Sequence, residues 1–317
     1  MNIVILDAYT LNPGDLSWDG LRTLGNLTLY DRTPADQIVA RSKDADVLFT
    51  NKTPLSADTL KQLNKTKYIG VLATGYNVVD IETAKECGIT VTNVPNYATE
   101  SVAQHVFALL LELTTHVGHH NAEVQKGRWS QSADFTFWDY PLMELNAKTF
   151  GVLGYGHIGK ATARIASAFG MRVIAYDRGR MGNDGLVEKV SLEDLFAKSD
   201  ILSLHVPLSS DTKNIINAQS IQQMKDGVIL LNTSRGPLID EGALADALRS
   251  KKVKAAALDV VSKEPIDADH VLLGLPNCIL TPHIAWAPLE ARQRLMACVV
   301  ANLSSYLNGH TINQVNL

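Results

Sequence analysis

A chain of 317 residues, 46% hydrophobic and 20% charged with a formal net charge of -4, is long enough for two domains. Its slight acidic excess excludes the basic footprint of a nucleic-acid-binding protein. Three scattered cysteines, Cys87, Cys278 and Cys298, match neither a disulfide framework nor a metal-ligand spacing, so no metal is expected.

The N-terminal stretch MNIVILDAY has no basic segment ahead of a long apolar one. The most apolar helical segment, 102–113, is too short to span a bilayer and carries His105 and Glu112. The expectation is a cytoplasmic protein without membrane or nucleic-acid partners.

Residues 1–98 alternate short apolar runs with helical patterns. Runs 2–6, 27–30, 46–49, 68–72 and 89–92 read as strands, and 34–41, 56–63 and 79–87 read as helices. Ser56 marks a helix start and Gly88 a helix stop. Such alternation predicts a parallel sheet covered on both faces. After Pro95, Thr99 or Ser101 caps a long helix running towards Gly118 or beyond, with an apolar stripe from Val102 to Val117. Residues 127–142 hold Trp129, Phe135, Phe137, Trp138 and Tyr140 without helical period. They are expected to form a packed irregular connection at an oligomer contact.

Residues 148–177 set out a strand, a glycine turn, a helix and a second strand ending in an acid. Gly154, Gly156 and Gly159 stand at G-x-G-x-x-G spacing between an apolar run, 149–153, and a helical pattern, 158–169. A second run, 172–176, ends on Asp177. This is the layout of a dinucleotide-binding βαβ unit. Gly154 allows the tight turn, Gly156 lets the backbone approach a pyrophosphate, and Gly159 lets the helix lie close to the strand. The helix N-terminus favours the phosphates, and Asp177 accepts hydrogen bonds from the ribose hydroxyls. The charge of Asp177 repels a 2′-phosphate, which favours NAD over NADP, although Arg178 next door softens that preference.

Strands are then expected at 201–204, 228–232, 254–258 and 278–280, helices at 192–197, 218–224 and 240–250, and a last helix at 289–307. Ligands of an open α/β sheet bind beyond the carboxyl ends of the strands. The loops there hold His205-Val206-Pro207, Asn232-Thr233-Ser234-Arg235-Gly236, Asp259-Val260, Glu264-Pro265 and Thr281-Pro282-His283. Hydride transfer to a ketone needs a proton donor and a cation that orients the substrate, the cofactor doing the rest. His283 suits the donor role because imidazole titrates near neutral pH. Glu264 is placed to hydrogen-bond the other ring nitrogen and favour the protonated ring. Arg235 offers a planar fork for a carboxylate. Singly, each has an ordinary alternative: a helix cap for Arg235, a solvated acid for Glu264, a core histidine for His283. The three together, each after a strand of one sheet, point to catalysis.

With GYGHIG and Asp177, NTSRGPLID at 232–240, ALDVVSKEP at 257–265 and TPHIAWA at 281–287, the chain resembles the D-isomer-specific 2-hydroxyacid dehydrogenases over essentially its full length. The resemblance implies an α/β protein of two Rossmann-like doubly wound parallel-sheet domains, with the active site in the cleft between them. Residues 1–98 plus 288–317 would form a flavodoxin-like substrate domain, and 99–287 the NAD-binding domain. It implies Arg235, Glu264 and His283 as catalytic residues. It further implies cofactor contacts from Gly154, Gly156, His157, Ile158, Gly159, Asp177, Val206, Pro207, Thr233, Ser234, Arg235, Asp259, His283 and Ala285. The substrate carboxylate would meet the backbone of Ala73, Thr74 and Gly75, with Arg235 and His283. Lys52 has two readings, a solvated loop charge or a cleft residue, and Tyr76 and Trp286 are the other candidates to meet the substrate side chain.

The form ATGYNVVD and the Trp after His283 are most similar to the glycerate dehydrogenase and hydroxypyruvate reductase branch, a homodimer with NAD as cofactor. The other readings are a D-lactate or 3-phosphoglycerate type of dehydrogenase, or a non-enzymatic NADH-sensing corepressor of this fold. Asp177→Ala is expected to relax the preference for NADH over NADPH in steady-state assays. An unchanged ratio would place ribose recognition elsewhere.

Overall fold

Runs of four to six aliphatic and β-branched residues with no polar face need covering layers on both sides, and parallel sheets supply them. The computed structural model describes residues 1–178 and 185–317. They fall into two compact units: Met1–Ala98 with Ala287–Leu317, and Thr99–Trp286.

In the first unit β1 (Asn2–Ile5), β2 (Asn26–Leu29), β3 (Val47–Thr50), β4 (Tyr68–Val71) and β5 (Thr90–Thr92) form a parallel sheet in the order β2-β1-β3-β4-β5. That is the flavodoxin-like strand order. The connecting helices are short: α1 (Asp19–Arg22), α2 (Ile38–Ser42), α3 (Ala57–Leu60) and α4 (Ile81–Glu86). Ser56 caps α3 by accepting from Thr59 N, and Asp80 caps α4 by accepting from Thr83 N. The C-terminal helix, Leu289–Leu307, returns to this sheet. Its Asn302 donates to Asn93 O at 2.9 Å, and the Tyr306 ring lies 4.8 Å from that of Tyr68.

The second unit begins with α5 (Thr99–Thr115) and α6 (Val117–Gln125). It continues through β6 (Thr149–Leu153), α7 (His157–Ala168), β7 (Arg172–Tyr176), β8 (Glu188–Lys189), α8 (Leu192–Lys198) and β9 (Ile201–Leu204). Then come α9 (Ala218–Gln223), β10 (Val228–Asn232), α10 (Glu241–Arg249), β11 (Val253–Leu258) and β12 (Cys278–Leu280). All the strand pairs are parallel, in the order β12-β11-β10-β9-β6-β7-β8. Counted from β6, this is the doubly wound 3-2-1-4-5-6 arrangement with one further strand. Alternate side chains divide between two cores. Phe150, Val152, Ile229 and Leu231 pack with α5 and α7; Leu153, Leu230 and Leu258 pack with α8, α9 and α10.

The register does more than close the sheet. Tyr176 pairs with Leu153, Leu153 with Leu204, Leu204 with Asn232, Asn232 with Leu258, and Leu258 with Leu280. The next residue of each strand therefore emerges along one edge: Asp177, Gly154, His205, Thr233, Asp259 and Thr281. Five strand spacings put the ends of this row about 24 Å apart.

Two expectations need correction, and one strand was missed. The long helix stops at Thr115, because His116 adopts a left-handed conformation (φ 50°) before α6 starts. Segment 127–142 packs only in part: Tyr140 and Phe137 lie against His116, His119 and His120, whereas Phe135 is 89% and Trp138 64% exposed. Strand β8 escaped notice because two polar residues give no periodic signal.

Candidate active site

At the glycine turn, Gly154 has φ +98°, and a Cβ there would lie 2.8 Å from the His205 carbonyl and from Val206 Cγ1. A Cβ on Gly159 would lie 2.1 Å from Gly154 O, so α7 sits directly on the turn. At Gly156, in contrast, a Cβ would meet nothing within 4 Å. Helices α8, α9 and α10 are capped by the side chains of Ser191, Asn217 and Asp240, whereas α7 starts after Gly156 with no side-chain cap. Uncapped amides beneath open space fit a diphosphate.

Exposed His157 and half-buried Ile158 form the first turn of α7. Asp177, at the end of β7, accepts from Tyr155 N at 3.3 Å, which places its carboxylate beside the turn. Arg178 is ion-paired to Asp211 at 2.7 Å, so its charge is matched locally. Val206 borders the turn, and Pro207 O accepts from Thr212 Oγ1 at 2.7 Å. Two buried polar atoms on this edge, Thr233 Oγ1 and His205 Nδ1, have no hydrogen-bond partner among the described residues. Such atoms are costly unless a ligand or water completes them. The residues present therefore fit a nicotinamide dinucleotide.

The loop after β10 is pinned by Asn232, whose side chain donates to Arg235 O at 2.8 Å and accepts from Ser234 N at 2.9 Å. Ser234 Oγ donates to Leu204 O at 2.7 Å. Half-buried Arg235 donates from Nη1 to Ser234 O at 2.7 Å. Gly236 then passes against the loop after β11, where a Cβ would lie 2.0 Å from the Val261 carbonyl carbon. Three residues on, Glu264 Oε1 accepts from Val261 N at 3.3 Å, and its Oε2 lies 2.7 Å from His283 Nδ1. A carboxylate only accepts, so Nδ1 carries hydrogen and Nε2 is left for proton exchange. His283 is a non-glycine residue in the left-handed region (φ 54°), a conformation that persists only when its surroundings enforce it.

Asp259 does much of the enforcing. It is 1% exposed, and its carboxylate accepts from Thr281 Oγ1 (2.6 Å), Ile284 N (2.9 Å) and Ala285 N (2.8 Å). The carboxylate expected to meet the cofactor is thus bound to the His283 loop, which it holds from both sides. Burial pushes the Asp259 carboxyl up, but these hydrogen bonds and His105 outweigh it and hold the group below its ordinary range. His105 and Thr281 were passed over because, in sequence, they are a lone polar residue in an apolar helix and an ordinary loop threonine.

In the first unit the loop after β4 is fastened through its other polar groups. Val94 N donates to Ala73 O at 3.0 Å, Thr74 Oγ1 to Val94 O at 2.8 Å, and Asn93 Nδ2 to Thr74 O at 2.7 Å. Thr74, Gly75 and the half-exposed Tyr76 follow at its tip. The loop after β3 is held by Asp7, unnoticed in the sequence, which accepts from the amides of Asn51, Lys52 and Thr53 at 2.6 to 2.8 Å. Exposed Lys52 is thereby fixed at its backbone.

A dinucleotide turn, an acid for the ribose and a carboxylate-supported histidine along one sheet edge define a nicotinamide-dependent oxidoreductase. The profile described as "D-isomer specific 2-hydroxyacid dehydrogenase, NAD binding domain" matches residues 107–285. The chain is 53% identical to a hydroxypyruvate reductase of Blautia hydrogenotrophica, covering 100% of both chains. It is 43% identical to a glycerate dehydrogenase of Methylorubrum extorquens over 88% of each. The structure of a D-2-hydroxyisocaproate dehydrogenase superposes with a TM-score of 0.86 at 30% identity, covering 100% of both chains. The chain belongs to the D-isomer specific 2-hydroxyacid dehydrogenase family. It is an NAD-dependent oxidoreductase acting on the CH–OH group of 2-hydroxy acids.

Gly236→Ala is expected to lower stability by about 1–3 kcal/mol through overpacking and to reduce kcat, because it forces the Arg235 and Glu264 loops apart. Thermal unfolding and steady-state turnover check this, and wild-type values for both would mean the two loops do not depend on that contact.

Proposed function

We propose that the protein reduces hydroxypyruvate to D-glycerate with NADH, accepts glyoxylate as a smaller alternative, and catalyses the reverse oxidation. The observation carrying this reading is the 53% identity, end to end, with a hydroxypyruvate reductase. The 2.7 Å pair of His283 and Glu264 supports it. NAD(H), when bound, supplies or accepts the hydride. Arg235 grips the 2-keto acid's carboxylate with its planar fork and polarises the adjacent carbonyl. The amides of Ala73, Thr74 and Gly75 donate to the same carboxylate. As the carbonyl carbon gains hydride, its oxygen takes the proton from His283 Nε2, and Glu264 holds the ring in place throughout. Cofactor contacts fall to the glycine turn, Asp177, Val206, Pro207, Thr233, Ser234 and Ala285.

NADH oxidation is measured across hydroxypyruvate, glyoxylate, pyruvate and 3-phosphohydroxypyruvate, and the highest kcat/KM is expected with hydroxypyruvate. A preference for pyruvate would sink the substrate assignment. His283→Ala is expected to lower kcat about 10²- to 10⁴-fold with NADH affinity nearly unchanged. Arg235→Ala is expected to lower kcat/KM for every 2-keto acid.

We also propose a cytoplasmic homodimer. No helix among the described residues is long and apolar enough to cross a membrane. A groove of about 420 Å³ lined by Val117, His120, Val124, Trp129, Phe137 and Trp138, with exposed Phe135 beyond it, has the aromatic make-up of a subunit contact. Sedimentation is expected to show a dimer for the wild type and a monomer for the double variant Phe135→Asp, Trp138→Asp. A monomeric wild type would end this assignment.

A further inference from the structure

His105 lies on α5, one and a half turns into a helix whose buried residues are mostly apolar, with Ser101 near its start and Thr114 near its end. Its Nε2 is 3.2 Å from Thr281 Oγ1 and 3.5 Å from Asp259 Oδ1. Thr281 spends its single hydroxyl hydrogen on Asp259 Oδ1 at 2.6 Å, so towards His105 it acts as an acceptor. His105 Nε2 therefore carries hydrogen, shared between the threonine oxygen and the buried carboxylate. With the amides of Ile284 and Ala285, four donors surround Asp259, which fills a carboxylate's capacity.

Three of these four donors flank His283 in the chain. Thr281 precedes it, Ile284 and Ala285 follow it, and Thr281 O also accepts from His283 N at 2.9 Å. The left-handed turn at His283 is thus spanned by bonds that meet at Asp259. The helix α5 reaches that meeting point through His105 alone among the hydrogen bonds described. Helix α5 is itself anchored in the core by Val106, Leu109 and Leu110, each at most 4% exposed. Tying a turn to an anchored helix is how a proton donor is held to the fraction of an ångström that catalysis requires.

We propose that His105 is a positioning residue for His283, acting through Thr281 and Asp259 on the turn that carries the proton-transferring imidazole. The inference rests on the role given above to His283 and extends the machinery to a helix that precedes the cofactor-binding motif in the chain. His105 touches neither substrate nor the reacting atoms. Its contribution is to the angle at which Nε2 of His283 meets the ketone oxygen.

The test compares His105→Leu with His105→Gln, whose side-chain amide can replace the Nε2 donor. Turnover is measured with NADH and hydroxypyruvate, alone and in a His283→Ala background. In the Leu variant kcat is expected to fall about 10- to 100-fold, while the KM for NADH and the thermal midpoint of the folded enzyme change little. The Gln variant is expected to recover most of kcat, a rescue that a packing role would not produce. Adding His105→Leu to His283→Ala is expected to cost nothing further, because the group being positioned is gone. A full additional loss in that background would overturn the inference, as would a normal kcat in His105→Leu while His283→Ala is inactive. Normal turnover in His283→Ala itself would remove the functional reading and the inference together.

Discussion

Parallel strands in register end together, and this constraint governs the second unit. The row running from Tyr176 through Leu153, Leu204, Asn232 and Leu258 to Leu280 brings six loops from distant parts of the chain to one edge. Each loop can then specialise, since the sheet behind it carries the burial. Leu153, Leu204, Leu230 and Leu231 are fully buried, so stability is supplied by residues with no part in the chemistry. Lengthening or shortening a strand by one residue would move a functional group about 3.3 Å and turn it to the opposite face.

The loops follow a common device. A polar side chain at the strand end takes up the amides or hydroxyl of the loop beside it. Asn232 does this for the amide of Ser234 and also donates to the carbonyl of Arg235, Asp259 does it for Thr281, Ile284 and Ala285, and in the first unit Asp7 does it for residues 51–53. Side chain–backbone bonds of this kind cost little order, because the strand end is already rigid. They leave the remaining groups of the loop to face a ligand. The pairing of His283 with Glu264 is the same idea with both partners in loops, and it accordingly relies on the Asp259 network for its rigidity.

Much of the fold was legible because strands and helices here obey simple periods. Apolar runs with no polar face announced β6, β7, β9 and β10 within a residue of their ends, and Ser56 announced a helix start that it caps; Asp80 and Asp240 cap two further helices in the structure. Where a period was absent, reading stopped. The left-handed break at His116 leaves the apolar pattern of α5 intact up to it, so nothing in the sequence marks it. The aromatic residues of 127–142 suggested packing because aromatics prefer burial. Phe137 and Tyr140 do pack against α6, but Phe135 and Trp138 stand exposed, and composition does not say which surface an aromatic group covers.

The sequence by itself determined the class of chemistry: a glycine turn with a ribose acid, and an Arg, a Glu and a His each placed after a strand. Those residues are local in sequence or repeat a strand–loop pattern, and local spacing is what a linear reading resolves. Only the tertiary structure decided the state of Asp259 and the part of His105. Asp259 looks like a cofactor ligand in the sequence, and becomes a clamp once β11 and β12 lie side by side and bring residues 281–285 onto its carboxylate. His105 is 176 residues from Thr281, and only the packing of α5 against the sheet closes that distance to 3.2 Å. Spacing along the chain says nothing about such a pair, because the contact is made by two cores and a strand register rather than by the residues between.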